Sequence, residues 1–151
     1  KLIIIGSSSS NYIDILKKTF SSDIDNVQFL GNLDFAKVSY YLKRCRATVV
    51  PSEWYDNFPN VILESFAFCK PVIASDLGSL RELILDNYTG LRFKVKDSDD
   101  CLEKIKQYMS NADLAKEHGN NGRQLLNEKY SGEIHYNKLM NVFLKYVKND
   151  K

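Results

Sequence analysis

The stretch that decides the fold reads PSEWYDNFPNVILESFAFCKPVIAS and occupies residues 51–75. Within it, residues 61–69 are apolar except for one acid and one serine, which is a long run for a buried strand. Pro59 suits the first turn of a helix and Pro71 ends the pattern, so the sequence predicts a helix between them. Because this helix is apolar nearly all round, we expect it to be buried.

Glu64 places a carboxylate on this predicted helix, and a buried charge requires a partner. The partner is either a Lys or Arg of a neighbouring element or a ligand rich in hydroxyl groups. The residues before the helix favour the ligand, since a helix N-terminus carries unpaired N–H groups and a positive dipole end that bind anions. Pro59 has no N–H group, so Asn60 and Val61 are the expected donors.

The spacing of the two acids predicts the shape of the ligand. Glu64 lies one turn beyond Asn60 on the same helix face, and Asp56 lies in the preceding loop. A phosphate at the helix start would then have one carboxylate deeper in the site and one nearer the loop. Since the two oxygens of a carboxylate accept two O–H donors, the pattern fits a nucleotide-sugar with a ribose diol on one side and sugar hydroxyls on the other.

These residues carry a family resemblance. The acid, seven residues, acid spacing from Asp56 to Glu64, inside PSEWYDNFPNVILES, resembles the signature of the GT4 family of retaining glycosyltransferases, which have the GT-B fold. The match continues through KPVIAS, residues 78–82 and Thr89-Gly90-Leu91, so it covers almost the whole chain.

The resemblance implies a role for each candidate residue. Glu64 would bind the ribose hydroxyls and Asp56 the hydroxyls of the transferred sugar. Backbone amides around residues 57–61 would bind the diphosphate of a UDP- or GDP-type donor, without metal or other cofactor. The substrate-binding residues expected from this region are Asn57, Phe58, Asn60 and Val61.

The sequence departs from the family pattern at two positions. The first acid is usually Glu, whereas Asp56 is one methylene shorter. The family usually has Gly immediately before the Lys-Pro pair, whereas this chain has Cys69. If that position needs a left-handed backbone, Cys69 carries a strain that glycine would not.

The resemblance also implies what surrounds the chain in a longer protein. Residues 1–151 would form a single donor-binding domain, the C-terminal domain of a GT-B enzyme without its first strand–helix unit, and helices at about 111–150 would pack on it. A separate N-terminal domain would bind the glycan or lipid-linked acceptor, and the chain alone is expected to be inactive. The family's usual setting is polysaccharide assembly in the cytoplasm at the inner face of a membrane, where the full-length protein would associate peripherally.

Composition limits the other possibilities. Of 151 residues, 44% are hydrophobic and 26% charged, which is typical of a globular domain with a sizeable core. The formal net charge of +2 gives no indication of nucleic-acid binding. The three cysteines, Cys45, Cys69 and Cys101, are an odd number at wide spacing, which fits neither a disulfide framework nor a zinc site. No apolar run is long enough to span a bilayer.

Alternating strand and helix patterns predict an α/β fold, a Rossmann-like doubly wound parallel sheet. The expected strands are residues 2–5, 27–31, 47–50, 72–74 and 91–95. The loop at residues 6–11, GSSSSN, either borders a ligand or caps the next helix. In the family, the backbone after the second strand lies near the nucleotide base, which makes Leu30 and Gly31 binding candidates beside Gly6.

Several further interpretations complete the expectations. Trp54 and Tyr55 are either a platform for a sugar or packing for their loop, and packing is favoured. Gly119-Asn120-Asn121-Gly122 is expected to interrupt a helix. His118 and His135 are taken as bystanders on polar faces. The alternative functions are a non-catalytic or decayed GT-B module that binds proteins, and a GT-B nucleotide-sugar epimerase.

Overall fold

A computed structural model describes residues 1–7, 11–19 and 25–147, apart from the side chain of Val147. The chain divides into two compact units, Lys1–Tyr41 and Leu42–Lys151. Strands alternate with helices in both, which confirms the predicted α/β class. The serines at 8–10 of the predicted ligand loop lie outside the described residues.

The described elements follow the predicted order closely. The strands are β1 (Leu2–Ile4), β2 (Val27–Phe29), β3 (Thr48–Val50), β4 (Val72–Ser75) and β5 (Gly90–Phe93). The helices are α1 (Tyr12–Thr19), α2 (Phe35–Arg44), α3 (Asn60–Ala67), α4 (Gly78–Leu83), α5 (Ser98–Ser110), α6 (Ala112–Lys129) and α7 (Gly132–Val147).

The strand pairs of the described residues are all parallel. In the first unit, β1 pairs with β2, with Leu2 opposite Val27. In the second unit the strand order is β3-β4-β5, with Thr48 opposite Val72 and Val72 opposite Gly90. All four residues of the central strand β4 are buried, as expected for a parallel strand covered by helices on both faces.

Alternate side chains of β4 enter two separate cores. Val72 and Ala74 pack with Phe66 of α3 and with residues of α4 and α6. Ile73 packs on the opposite face with Tyr108 of α5. Because side chains alternate across a strand, this distribution places helices on both faces of the sheet, which is the doubly wound arrangement predicted from the sequence.

Helix α6 corrects one prediction, because it runs without interruption from Ala112 to Lys129. A Cβ atom on Gly119 would lie 2.1 Å from the carbonyl oxygen of Cys69, and one on Gly122 would lie 2.4 Å from the Phe66 ring. The two glycines therefore allow α6 to approach the end of α3 closely, and their cost in helix propensity is offset by this packing.

The prediction for His118 was also wrong. Its side chain is buried, with 3% exposed, and its Nδ1 atom shares a 2.8 Å hydrogen bond with the Tyr108 hydroxyl. Burial lowers the pKa of His118 and raises that of Tyr108. The bond joins α5 to α6, and it satisfies two polar groups that would otherwise be costly to bury. His135, in contrast, is exposed as expected.

Helix α7 leaves much of its apolar surface uncovered. Its large exposed side chains are Tyr136, Leu139, Val142, Phe143, Leu144 and Tyr146. Across the described residues, none of the helices combines the length and the apolar character needed to cross a membrane.

Candidate functional site

The loop between β3 and α3 carries Asp56 and fixes its side chain. Ser52 Oγ donates a 2.6 Å hydrogen bond to Asp56 Oδ2, and Trp54 Nε1 donates a 2.9 Å hydrogen bond to Asp56 Oδ1. Each carboxylate oxygen thus has one partner within its own loop. The carboxylate is half-buried and is held in one orientation rather than free in solvent.

The same loop is attached to the start of α4. Ser79 Oγ donates a 2.6 Å hydrogen bond to the Asp56 carbonyl oxygen. The Tyr55 ring lies against Gly78, where an added Cβ atom would be 2.7 Å from the ring. Tyr55 therefore has the packing role favoured from the sequence, although it and Trp54 stay 78% and 69% exposed.

The N-terminus of α3 presents the donors that the sequence predicted. Helical structure begins at Asn60, and Pro59 precedes it in an extended conformation without a side-chain cap. Within the described part of the chain, the N–H groups of Asn60 and Val61 donate no hydrogen bond. Asn57 and Phe58 lie exposed just before them. This helix end can therefore accept an anion from solvent.

Glu64 lies one turn into α3 and is half-buried. Among the described residues, its carboxylate makes neither a hydrogen bond nor an ion pair. The structure therefore does not supply the Lys or Arg partner that the sequence left open. The expectation of a helix buried all round was wrong, because Val61 is 39% exposed and α3 buries only the face of Ile62, Ser65 and Phe66.

Cys69 ends α3 in a left-handed conformation with φ of 54°. The Lys70 N–H donates to the Ser65 carbonyl and the Cys69 N–H to the Phe66 carbonyl, both at 2.9 Å. This pair of bonds is the Schellman motif, in which glycine is the usual residue at the left-handed position. Because Cys69 has the left-handed backbone and carries a Cβ atom, it bears the strain that glycine would avoid.

The remaining predicted residues lie in the first unit. Gly6 and Gly31 follow β1 and β2, and the Gly6 N–H donates a 2.9 Å hydrogen bond to the Gly31 carbonyl. Leu30 lies beside the end of β1, because its N–H donates a 3.0 Å hydrogen bond to the Ile4 carbonyl. Leu30 also lines an open groove of about 390 Å³ with residues of α2, including Tyr40 and Tyr41.

The structure thus groups the candidates in two sets. Asp56, Asn57, Phe58, Asn60, Val61 and Glu64 share one loop and helix of the second unit, whereas Gly6, Leu30 and Gly31 share the strand ends of the first unit. Sequence reasoning missed the three donors that bind Asp56. Ser52 lies only four residues before it, but Ser79 lies 23 residues after it and no local pattern connects the two.

Comparison with known proteins identifies the family of this chain. The family model described as glycosyl transferases group 1 matches residues 1–125. The chain is 34% identical over 112 residues to an uncharacterized glycosyltransferase, MJ1178, of Methanocaldococcus jannaschii, covering 74% of this chain and 31% of that protein. It is 26% identical to the capsular polysaccharide biosynthesis glycosyltransferase CapM of Staphylococcus aureus, covering 100% of this chain and 39% of CapM.

A solved structure shows the same fold. Anabaena HepE in complex with UDP and glucose superposes with a TM-score of 0.85 at 18% identity, over 95% of this chain and 40% of HepE. The chain thus spans only about a third to two fifths of the proteins it matches. On the match to the family model, the chain belongs to the group 1 glycosyl transferases.

Proposed function

We propose that this chain is the donor-binding part of a GT4-type retaining glycosyltransferase that uses a nucleotide-diphosphate sugar. The observation that carries the proposal is the start of α3, where the N–H groups of Asn60 and Val61 and the carboxylate of Glu64 all have no partner among the described residues. Free donors and a free acceptor one turn apart suit a ligand with both phosphates and hydroxyls.

The residues have separate roles in this proposal. The α3 N-terminus, with the exposed backbone around Asn57 and Phe58, binds the diphosphate. Glu64 accepts hydrogen bonds from the ribose hydroxyls, and Asp56 accepts them from the transferred sugar. For the first unit, the family resemblance alone supports Leu30 and Gly31 as residues near the base and Gly6 as a residue of the donor pocket. Support for a nucleotide-sugar comes from the structure of HepE, whose fold this chain shares and which binds UDP and glucose.

The rest of the reaction is proposed by analogy with the family. Residues 1–151 act as one donor domain, the acceptor is a glycan or lipid-linked glycan, and no metal is required. CapM, which is named for capsular polysaccharide biosynthesis, supports a polysaccharide setting, and with it a reaction in the cytoplasm at the inner face of a membrane. Charge stabilisation of the leaving phosphate is a large part of such catalysis. By the family resemblance, the first strand–helix unit and the acceptor domain lie outside residues 1–151, so these residues alone are expected to show no turnover.

The test is a titration of UDP, GDP, UDP-glucose and GDP-mannose into the chain, followed by NMR chemical shifts. Glu64→Gln keeps the size of the side chain and removes its charge. A hydrogen bond to a charged group contributes about 1.5–3 kcal/mol, so the variant should bind the preferred nucleotide roughly ten- to a hundredfold more weakly. Glu82→Gln is the matched control, since Glu82 is also a helix glutamate but is exposed on α4.

The outcomes separate the proposed function from its alternatives. Saturable binding of one nucleotide, weakened in Glu64→Gln and unchanged in Glu82→Gln, would support the donor site and identify the base. Absence of binding by all four compounds would contradict the proposal and favour the decayed, protein-binding module. Interconversion of the bound sugar to its epimer, without transfer, would identify the epimerase instead.

A further inference from the structure

We propose that Ser52, Trp54 and Ser79 are positioning residues that set Asp56 for recognition of the transferred sugar. The inference rests on the proposed function and extends it to residues outside the expected motif. We call these three side chains the Asp56 clasp. They act through Asp56 and need not touch the ligand themselves.

The clasp fixes both ends of Asp56. Ser52 and Trp54 each donate to a different carboxylate oxygen, at 2.6 and 2.9 Å, so rotation of the carboxylate would break both bonds. Ser79 donates to the Asp56 backbone carbonyl at 2.6 Å and ties that position to α4. The side chain, the backbone and a neighbouring helix are therefore connected at one residue.

Binding capacity remains after the clasp has formed. A carboxylate has about four lone-pair sites, and Ser52 and Trp54 occupy two of them. The other two can accept hydroxyl groups of a sugar. The clasp therefore orients the Asp56 carboxylate and leaves two of its lone-pair sites free to accept hydrogen bonds from a sugar.

The shorter side chain makes this orientation important. Aspartate at this position reaches one methylene less far than the glutamate usual in the family, so its oxygens tolerate little displacement. Hydrogen-bonding partners that hold a binding group in place reduce the entropy lost when ligand binds. The indole N–H of Trp54 offers this without adding charge. Its hydrogen bond to Asp56 Oδ1 is exposed, so water can reach that oxygen when the N–H is removed.

The test measures how much the sugar adds to nucleotide affinity. For the chain and each variant, dissociation constants are determined for UDP and UDP-glucose, and for GDP and GDP-mannose. Trp54→Phe keeps an aromatic ring and removes the N–H donor, and Ser52→Ala removes the hydroxyl, whereas Ser52→Thr retains it. Tyr55→Phe is the control, because the Tyr55 hydroxyl makes no hydrogen bond among the described residues.

We expect Trp54→Phe and Ser52→Ala to weaken sugar-conjugate binding about three- to tenfold, the effect of losing one net hydrogen bond, with affinity for the free nucleotide unchanged. Ser52→Thr and Tyr55→Phe should both leave the ratio of the two dissociation constants, free nucleotide to sugar conjugate, as it is in the unsubstituted chain. Equal weakening of nucleotide and conjugate would show a merely structural role and overturn the inference, as would an unchanged ratio. If the unsubstituted chain binds none of the four compounds, the proposed function itself fails, and the inference with it.

Discussion

Replacing Gly119 with alanine should strongly destabilise the second unit, although alanine is normally the better helix residue. The added Cβ atom would lie 2.1 Å from the Cys69 carbonyl oxygen and 2.7 Å from its carbonyl carbon. Both are backbone atoms, so no side chain can rotate away and α6 itself must move from the end of α3. Overpacking typically costs about 1–3 kcal/mol, and a clash with backbone atoms belongs at the upper end of that range. A cost of about 3 kcal/mol against about 1 kcal/mol gained in helix propensity leaves a net loss of about 2 kcal/mol.

We therefore expect Gly119→Ala to lower the free energy of unfolding by about 2 kcal/mol, and the melting temperature by about 4–8 °C. Urea unfolding followed by circular dichroism measures it. Gly132→Ala is the control, because its added Cβ atom would have no atom of another described element within 4 Å. Equal urea midpoints for the two variants would refute the close approach of α6 to residue 69.

Two further predictions concern the strained cysteine and the buried histidine. Cys69→Gly removes the left-handed strain at φ 54°, so it should raise the free energy of unfolding by about 0.5–1 kcal/mol, after allowing for the greater freedom of glycine in the unfolded chain; a lower urea midpoint would contradict this. Because burial lowers the pKa of His118, the unfolded chain binds the proton first, and stability should fall as pH drops below about 6.5. His118→Gln should remove this loss of stability at low pH, whereas His135→Gln, at an exposed position, should not. Urea midpoints measured at pH 7.5 and pH 5 test this, and an equal difference between the two midpoints in both variants would refute it.

The order of elements could be predicted from local sequence, because strands and helices have distinct periodicities. The segment at residues 72–75 is short, mostly apolar and flanked by turn residues, and it forms the buried central strand. The position of α3 was also predictable from local sequence, because Pro59 and Pro71 limit the helix on both sides. The candidate acids also lie within one short stretch, so their proximity needed no tertiary information.

What the sequence did not reveal depends on contacts between distant elements. The glycines of α6 suggested a weak helix, but their purpose lies in the backbone at Cys69, about fifty residues earlier. His118 lies among polar residues in sequence, yet the face of α6 that carries it packs against α5. The apolar run around Glu64 led us to expect a helix buried on all sides, but only one side of α3 is covered.

The exposed thiol at the end of α3 also provides a means of labelling. Cys69 is exposed, whereas Cys45 and Cys101 are half-buried and burial raises the pKa of both thiols. Since the thiolate is the reactive form, a maleimide fluorophore added at neutral pH will attach first at Cys69. The dye would lie at the C-terminal end of the eight-residue helix whose N-terminus is the proposed phosphate site. One natural cysteine thus offers a fluorescent reporter for that helix, without an engineered attachment point.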